Sequence, residues 1–209
     1  MLGSFRNGID YYKRHRRFLA ATALAYYGLV FGVGAVAAIT PGGREMQETL
    51  LGEATGGLNA AFPGLLAAYM SNPVLAVAYT FAINLVLGTM ISITLPGLVL
   101  SFLAPLVAFY RAFAWGIIFA PTQPVILLVG LPTILAEGFG YILAVVPSFR
   151  LGLSWMLPRM TFKGEELTRA HAFRRAIREL GSAYLIVAAT LLAAAIVEVA
   201  STQALRLLG

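Results

Sequence analysis

Apolar positions along the chain gather into five long runs, at 18–40, 74–94, 97–119, 125–152 and 183–203, separated by polar or Gly/Pro-rich stretches. Each run is long enough for a helix to cross a hydrocarbon core of about 30 Å at roughly 1.5 Å per residue. Strands with open edges leave backbone groups unsatisfied in lipid, so helices are the expected element. The pattern predicts an all-α polytopic membrane protein, a bundle of about five transmembrane helices in one membrane domain over 1–209.

Punctuation sets the expected breaks. Leu95-Pro96-Gly97 predicts a tight connection between the second and third runs, and Pro121 and Pro124 mark the next one. Gly130-Leu131-Pro132 interrupts the fourth run, which leaves residues 124–131 open to a re-entrant piece, with the full span starting near Pro132. The opposing reading is an unbroken helix, because Pro and Gly are common in membrane helices generally.

Two segments lie between runs but keep a helical period. In 41–73, Leu50, Leu51, Leu58, Phe62, Leu65, Leu66, Tyr69 and Met70 recur at spacings of three, four and seven. With Gly56-Gly57 and Pro63-Gly64 as dividers, two short amphipathic helices are expected, on the membrane surface or capping the bundle. In 153–182, the stretch Phe162–Leu180 reads as an amphipathic helix along the headgroups, with Glu165, Arg169 and Phe173 at i, i+4 spacing.

Charge orients the bundle. The tail 1–17 carries Arg6, Lys13, Arg14, Arg16 and Arg17, and 150–182 carries seven more basic residues, from Arg150 to Arg178. The 41–73 segment has only Arg44 against Glu45, Glu48 and Glu53. With five spans, the two basic segments fall on one side, which the positive-inside rule makes cytoplasmic. The expected location is the cell (inner or plasma) membrane, with the N-terminus cytoplasmic, and the C-terminus and the 41–73 loop outside. The first run, with Ala35-Val36-Ala37 near its end, exceeds the 7 to 15 residues of a cleavable signal core and is read as a retained span.

Composition agrees, and it excludes several chemistries. Hydrophobic residues make up 59% of the 209 residues, charged ones 11%, and mean hydropathy is +0.82. A soluble domain carries about 25% charged residues. There is no Cys, the single Asp is Asp10, and His15 and His171 both lie in basic polar segments. An aspartyl dyad, an intramembrane Ser–His pair and a thiolate metal site therefore lack their residues. No cofactor, metal site or catalytic activity is expected. The net charge of +6 lies on membrane flanks without a stacking platform of aromatics, so the expected partners are the lipid bilayer and other membrane or envelope proteins, not nucleic acid.

The informative residues are those lipid should reject. Arg111, Glu137 and Glu198 sit inside the third, fourth and fifth runs, and Asn84 lies at the centre of the second. An ionisable group at mid-bilayer costs at least about 2.5–3.5 kcal/mol, so such residues pair or line a polar cavity. At about 1.5 Å per residue from the cytoplasmic end, Arg111, Glu137 and Glu198 lie roughly 21, 20 and 24 Å deep, with Asn84 at roughly 15 Å. One reading is an Arg111–Glu137 pair with Glu198 nearby, holding three helices together. The other is a site for an ion, a proton or a small anion, because one basic residue beside two acids leaves one glutamate in need of a proton or a cation. For close packing the sequence offers Gly28 and Gly32 as GxxxG in the first run, and Gly88 with Ser92 in the second. These admit contacts within the bundle or a homo-oligomer.

Four segments in order resemble the stage II sporulation protein M family of multi-pass membrane proteins. Phe81-Ala82-Ile83-Asn84 with Gly88 is similar to the family's aromatic-x-x-Asn start with a later glycine. Leu131 to Glu137 resembles its Leu-Pro-His-Gly-x-x-Glu stretch, Ser148 to Gly152 its Gly-x-Arg-x-Gly-like segment, and Ala195 to Ala200 its final-span pattern. Thr133 and Ile134 stand where the family often has His-Gly, so a role resting on that histidine does not carry over. The resemblance implies a membrane scaffold or complex subunit without catalytic activity, which in spore formers works with cell-wall hydrolases during engulfment. That role is not carried to this chain. The alternative class is a small transporter or channel whose site is the layer of Asn84, Arg111, Glu137 and Glu198.

Overall fold

The computed structural model describes residues 2–64, 67, 71–122 and 124–208, and their side chains except those of 2, 124–129 and 205–208. Among these residues the chain is predominantly helical and has no strand. The helices are α1 (Leu2–Arg14), α2 (Arg16–Ile39), α3 (Gly43–Ala61), α4 (Pro73–Ala82), a π-helical stretch Ile83–Thr94, α5 (Leu95–Val99), α6 (Leu103–Ile118), α7 (Pro124–Met156), α8 (Pro158–Thr161) and α9 (Arg169–Leu208). Four rods are long and apolar enough to cross a membrane: Arg16–Ile39, Pro73–Val99, Gly130–Met156 within α7, and Arg169–Ala204 within α9. The fifth apolar helix, α6, is shorter, at 16 residues or about 24 Å. This is an all-α polytopic membrane protein.

α7 is the central rod. Every residue from Gly140 to Ser148 is buried, an all-round burial that its uniformly apolar sequence permits, and α9, α2, α6 and the second rod surround it. Small residues set the helix spacing. Ala104, Ala108, Ala112 and Gly116 form the buried face of α6. A Cβ on Gly116 would lie 2.7 Å from the Val30 carbonyl oxygen, and one on Gly34 would lie 3.0 Å from the Gly116 carbonyl oxygen. The close crossing of α2 and α6 therefore uses Gly34 and Gly116. Gly28 and Gly32, the pair singled out by GxxxG, have nothing within 4 Å and face outward.

Several predicted breaks are absent, and the reasons are physical. Pro96 does not end its helix: the rod continues through it from the π-helical stretch into α5, and the chain turns only at residues 100–102. Gly97 serves packing instead: a Cβ on it would lie 2.7 Å from the Ala104 Cβ, and one on the facing Gly152 would lie 2.0 Å from the Gly97 carbonyl oxygen. α7 runs continuously through both Pro132 and Pro147, so residues 124–131 are not a re-entrant piece but the start of this helix. Pro147 cannot donate to the carbonyl of Leu143, and the hydroxyl of Tyr12 donates to that oxygen at 3.0 Å.

Outside the spans, three expectations change. The basic tail is helical: α1 buries Tyr11 and Tyr12 against α9, and Gly8 admits the Ser182 carbonyl. The 41–73 segment begins with one helix, α3, which passes through Gly56-Gly57 without a break. It starts where Gly42 takes φ 80°, a left-handed conformation that suits glycine, and Gly43 lies against the Ala37 carbonyl. The second expected helix falls largely on residues 65–66 and 68–70, outside the described ones. The second rod then starts at a capped turn, with Pro73 in the first helical turn and Asn72 accepting from the Leu75 N–H at 3.1 Å.

Phe162–Leu180 is not a separate surface helix. Residues 163–168 are non-helical, and α9 begins at Arg169 and continues unbroken into the last span, about 60 Å of helix over 40 residues. Its first turns bury Ala172 and Ala176 against Leu151 and Phe162. Glu165 pairs with Arg175 at 2.6 Å rather than with Arg169, and Glu179 links Arg175 to Arg150 at 3.6 and 3.7 Å. Phe162 lies beneath both guanidiniums, fixing the end of α7 to the start of α9.

Candidate functional site

Three helices each carry two residues of the site at i, i+4 spacing, which places both on one face. The second rod supplies Asn84 and Gly88, α6 supplies Arg111 and Trp115, and α7 supplies Glu137 and Tyr141. α9 adds Glu198, seven residues beyond Leu191, whose side chain packs into the gap above Gly140. The π-helical stretch starts one residue before Asn84. Such windings are rare and mark functional sites more often than ordinary turns do.

The polar groups form one connected network. Asn84 Nδ2 donates to Glu137 Oε1, and Asn84 Oδ1 accepts from the Tyr141 hydroxyl at 2.6 Å. That hydroxyl accepts in turn from Arg111 Nη2 at 3.0 Å and stands 3.4 Å from Glu137 Oε2. The Arg111 guanidinium lies 4.2 Å from the centroid of the Tyr141 ring and 6.0 Å from that of Trp115. The side chains of Glu137 and Glu198 line the same cavity. Glu137 is 3% exposed and Tyr141 fully buried. The ring of Tyr141 reaches this position because residue 88 is glycine: a Cβ there would lie 3.0 Å from it.

All four residues singled out from the sequence thus meet in one place, but the expected Arg111–Glu137 ion pair is not how they meet. Among the described residues Arg111 reaches Glu137 through Tyr141, Glu137 is held directly by Asn84, and Glu198 lines the same cavity. Tyr141 was missed. Its signal was present, four residues after Glu137, but tyrosine is unremarkable in a chain holding nine of them.

Arg111, Asn84, Glu137 and Glu198 line one wall of a cavity of about 560 Å³, with Thr80 and Thr133 beside them. The other walls are apolar, built from Ile83, Leu87, Trp115, Ile118 and Phe119. Leu51, Thr55, Leu58 and Phe62, from α3 and the residue that follows it, overhang the chamber. α3 is fastened near its start, where buried Gln47 donates to the carbonyls of Ile118 and Ala120 at 2.8 and 3.0 Å and accepts from Thr122. Beyond residue 50 that helix is exposed.

The second polar cluster inside the bundle is neutral. Thr94 Oγ1 bonds the hydroxyls of Ser148, at 2.6 Å, and Tyr184. It lies ten residues further along the second rod and ties that rod to α7 and α9. No group of three or more His, Cys, Asp or Glu able to hold a metal ion occurs among the described residues. Comparison of the chain with family models, curated proteins and solved structures finds no match in any of the three.

Proposed function

We propose that this chain is a small membrane transporter or channel whose site for an ion, proton or small solute is the chamber lined by Arg111, Glu137, Glu198 and Asn84. One observation carries the reading: three ionisable groups, costly anywhere in a bilayer, are spent on the wall of a cavity rather than on a closed ion pair. A purely structural cluster would satisfy its own groups and enclose no space. Arg111 and two carboxyls are also unbalanced by one charge, which a proton or a permeating cation corrects. No catalytic step belongs to this reading. The basic residues of 1–17 and 150–182 support a cytoplasmic N-terminus in the cell membrane, with the C-terminus outside.

The test is flux. Proteoliposomes loaded with a pH-sensitive dye, under an imposed ion gradient, are expected to show protein-dependent proton or ion movement that Glu137→Gln abolishes. Absence of flux from folded, oriented protein contradicts the proposal.

The second reading is the scaffold or complex subunit that the resemblance to the stage II sporulation protein M family implies. It is supported by the outward ridge of small residues on α2, Ala21, Ala25, Gly28 and Gly32, which the bundle leaves uncovered. Crosslinking in native membranes, with Gly28→Ile as control, tests it for self-association or other envelope partners.

A further inference from the structure

The chamber has chemistry enough to specify its ligand, on the premise that it is a transport site as proposed above. Glu137, Glu198 and Arg111 line the same chamber, so two carboxyls face one guanidinium, and one proton shared by the acid pair is what keeps the empty site free of a net buried charge. With Arg111 positive, the resting site is then neutral. A ligand that replaces that proton one for one preserves neutrality only if it carries a single positive charge. A bound anion would keep the site neutral only by bringing a second proton to the carboxyls, and otherwise leaves a buried negative charge in a low-dielectric bundle.

Arg111 is partly committed inside the protein: its Nη2 donates to Tyr141, its Nε is buried without a hydrogen-bond partner, and the Tyr141 ring covers the guanidinium. The charged or titratable groups facing the carboxyl pair are Arg111 from α6, Tyr141 from α7 and Tyr26 from α2. A bare hard cation gathers six or more oxygens in a compact shell, whereas most of this chamber's lining is apolar. Trp115, Phe119, Ile83 and Leu87 instead suit a bulky apolar or aromatic body, and about 560 Å³ lies in the range of small-molecule sites.

We propose that the chamber binds a monovalent organic cation with a bulky apolar body, which enters beneath α3 and exchanges for the proton shared by Glu137 and Glu198. In that step the carboxyl O–H bond breaks, the proton leaves to solvent, and the resulting carboxylate pair balances the ligand's charge and that of Arg111.

The probe is tetraphenylphosphonium, with tetraphenylborate as the ion of matching shape and opposite charge. In the Trp155→Phe protein Trp115 is the sole tryptophan and lies on the chamber wall, so its fluorescence reports occupancy. The expected result in detergent solution is saturable quenching by the phosphonium, with about one proton released per cation into weak buffer, and neither effect with the borate. Affinity should rise up to about tenfold per pH unit, as a one-for-one exchange requires. In Glu198→Gln of unchanged melting temperature, affinity should fall about tenfold or more and proton release vanish; the pH series on unmutated carboxyls carries the same test if that variant does not fold. Equal binding of both ions, binding without proton release, or pH-independent affinity overturns the proposal. If the phosphonium fails while proteoliposome flux persists, the ligand class is wrong and the transport reading stands; if both fail, both fall.

Discussion

Tyr141 takes the charge of Arg111 on two of its features at once: its hydroxyl accepts from Nη2 at 3.0 Å, and its ring centroid lies 4.2 Å from the guanidinium carbon. The same hydroxyl donates to Asn84. Tyr141→Phe keeps the ring and removes only the oxygen, leaving Arg111 Nη2 and Asn84 Oδ1 each without that partner. Each buried group left unpaired costs about 1–3 kcal/mol. The expected result is a clearly lowered melting temperature in detergent; an unchanged one would show that water or another side chain replaces the hydroxyl.

Pro147 sits inside α7 at little cost because Tyr12, from a different helix, supplies the missing donor to Leu143. Tyr12→Phe should therefore destabilise the protein by about 1–3 kcal/mol, the cost of an orphaned buried carbonyl. In the double variant with Pro147→Ala the helix regains its own donor, so the penalty of removing the Tyr12 hydroxyl should shrink. Thermal unfolding of the four proteins in this cycle measures the coupling.

Gly116 and Gly28 should respond to the same substitution in opposite ways. Gly116→Ala drives a Cβ to 2.7 Å from the Val30 carbonyl oxygen, and overpacking of this kind costs about 1–3 kcal/mol. Gly28→Ala meets nothing within 4 Å, so the fold should tolerate it or gain slightly from helix propensity. Melting temperatures of the two variants distinguish the α2–α6 crossing from the outward face.

Between α1 and α2, His15 is half-buried, its Nδ1 2.8 Å from the Tyr11 carbonyl oxygen. Burial, aided by the nearby Arg150 and Arg14, holds its pKa below the ordinary 6.5. The fold therefore favours the neutral ring. Its contribution to stability is complete above about pH 6.5 and is lost as pH falls through the lowered folded value. Melting temperature should decline on acidification through this window, and His15→Gln should flatten the decline. An equal slope in the variant would assign the effect to other groups.

The sequence revealed the site better than it revealed the breaks. Asn84, Arg111, Glu137 and Glu198 stood out because lipid makes such residues expensive, so their presence already demanded a common polar space. Their linkage through Tyr141 was hidden, since a hydroxyl's partner depends on helix facing and not on composition. Pro96, Pro132 and Gly56-Gly57 looked like boundaries because local rules treat them so. What a proline interrupts can be repaired by another element, as Tyr12 does for Pro147, and a single sequence does not display that repair. The length of α9 was obscured for a related reason: residues 169–182 and 183–203 differ in surroundings, and hydropathy reports surroundings where only backbone continuity makes them one helix.

The proposed site depends above all on one proton shared by Glu137 and Glu198 beside Arg111. Infrared spectroscopy of the protein in lipid measures it directly, through the carbonyl stretch of a protonated carboxylic acid that resists exchange with bulk solvent. The expected result is such a band in the wild-type protein, altered or lost in Glu137→Gln and in Glu198→Gln, and shifted when an organic cation is added. A folded wild-type protein without that band, with both carboxyls ionised, would contradict the shared proton and the exchange chemistry built on it.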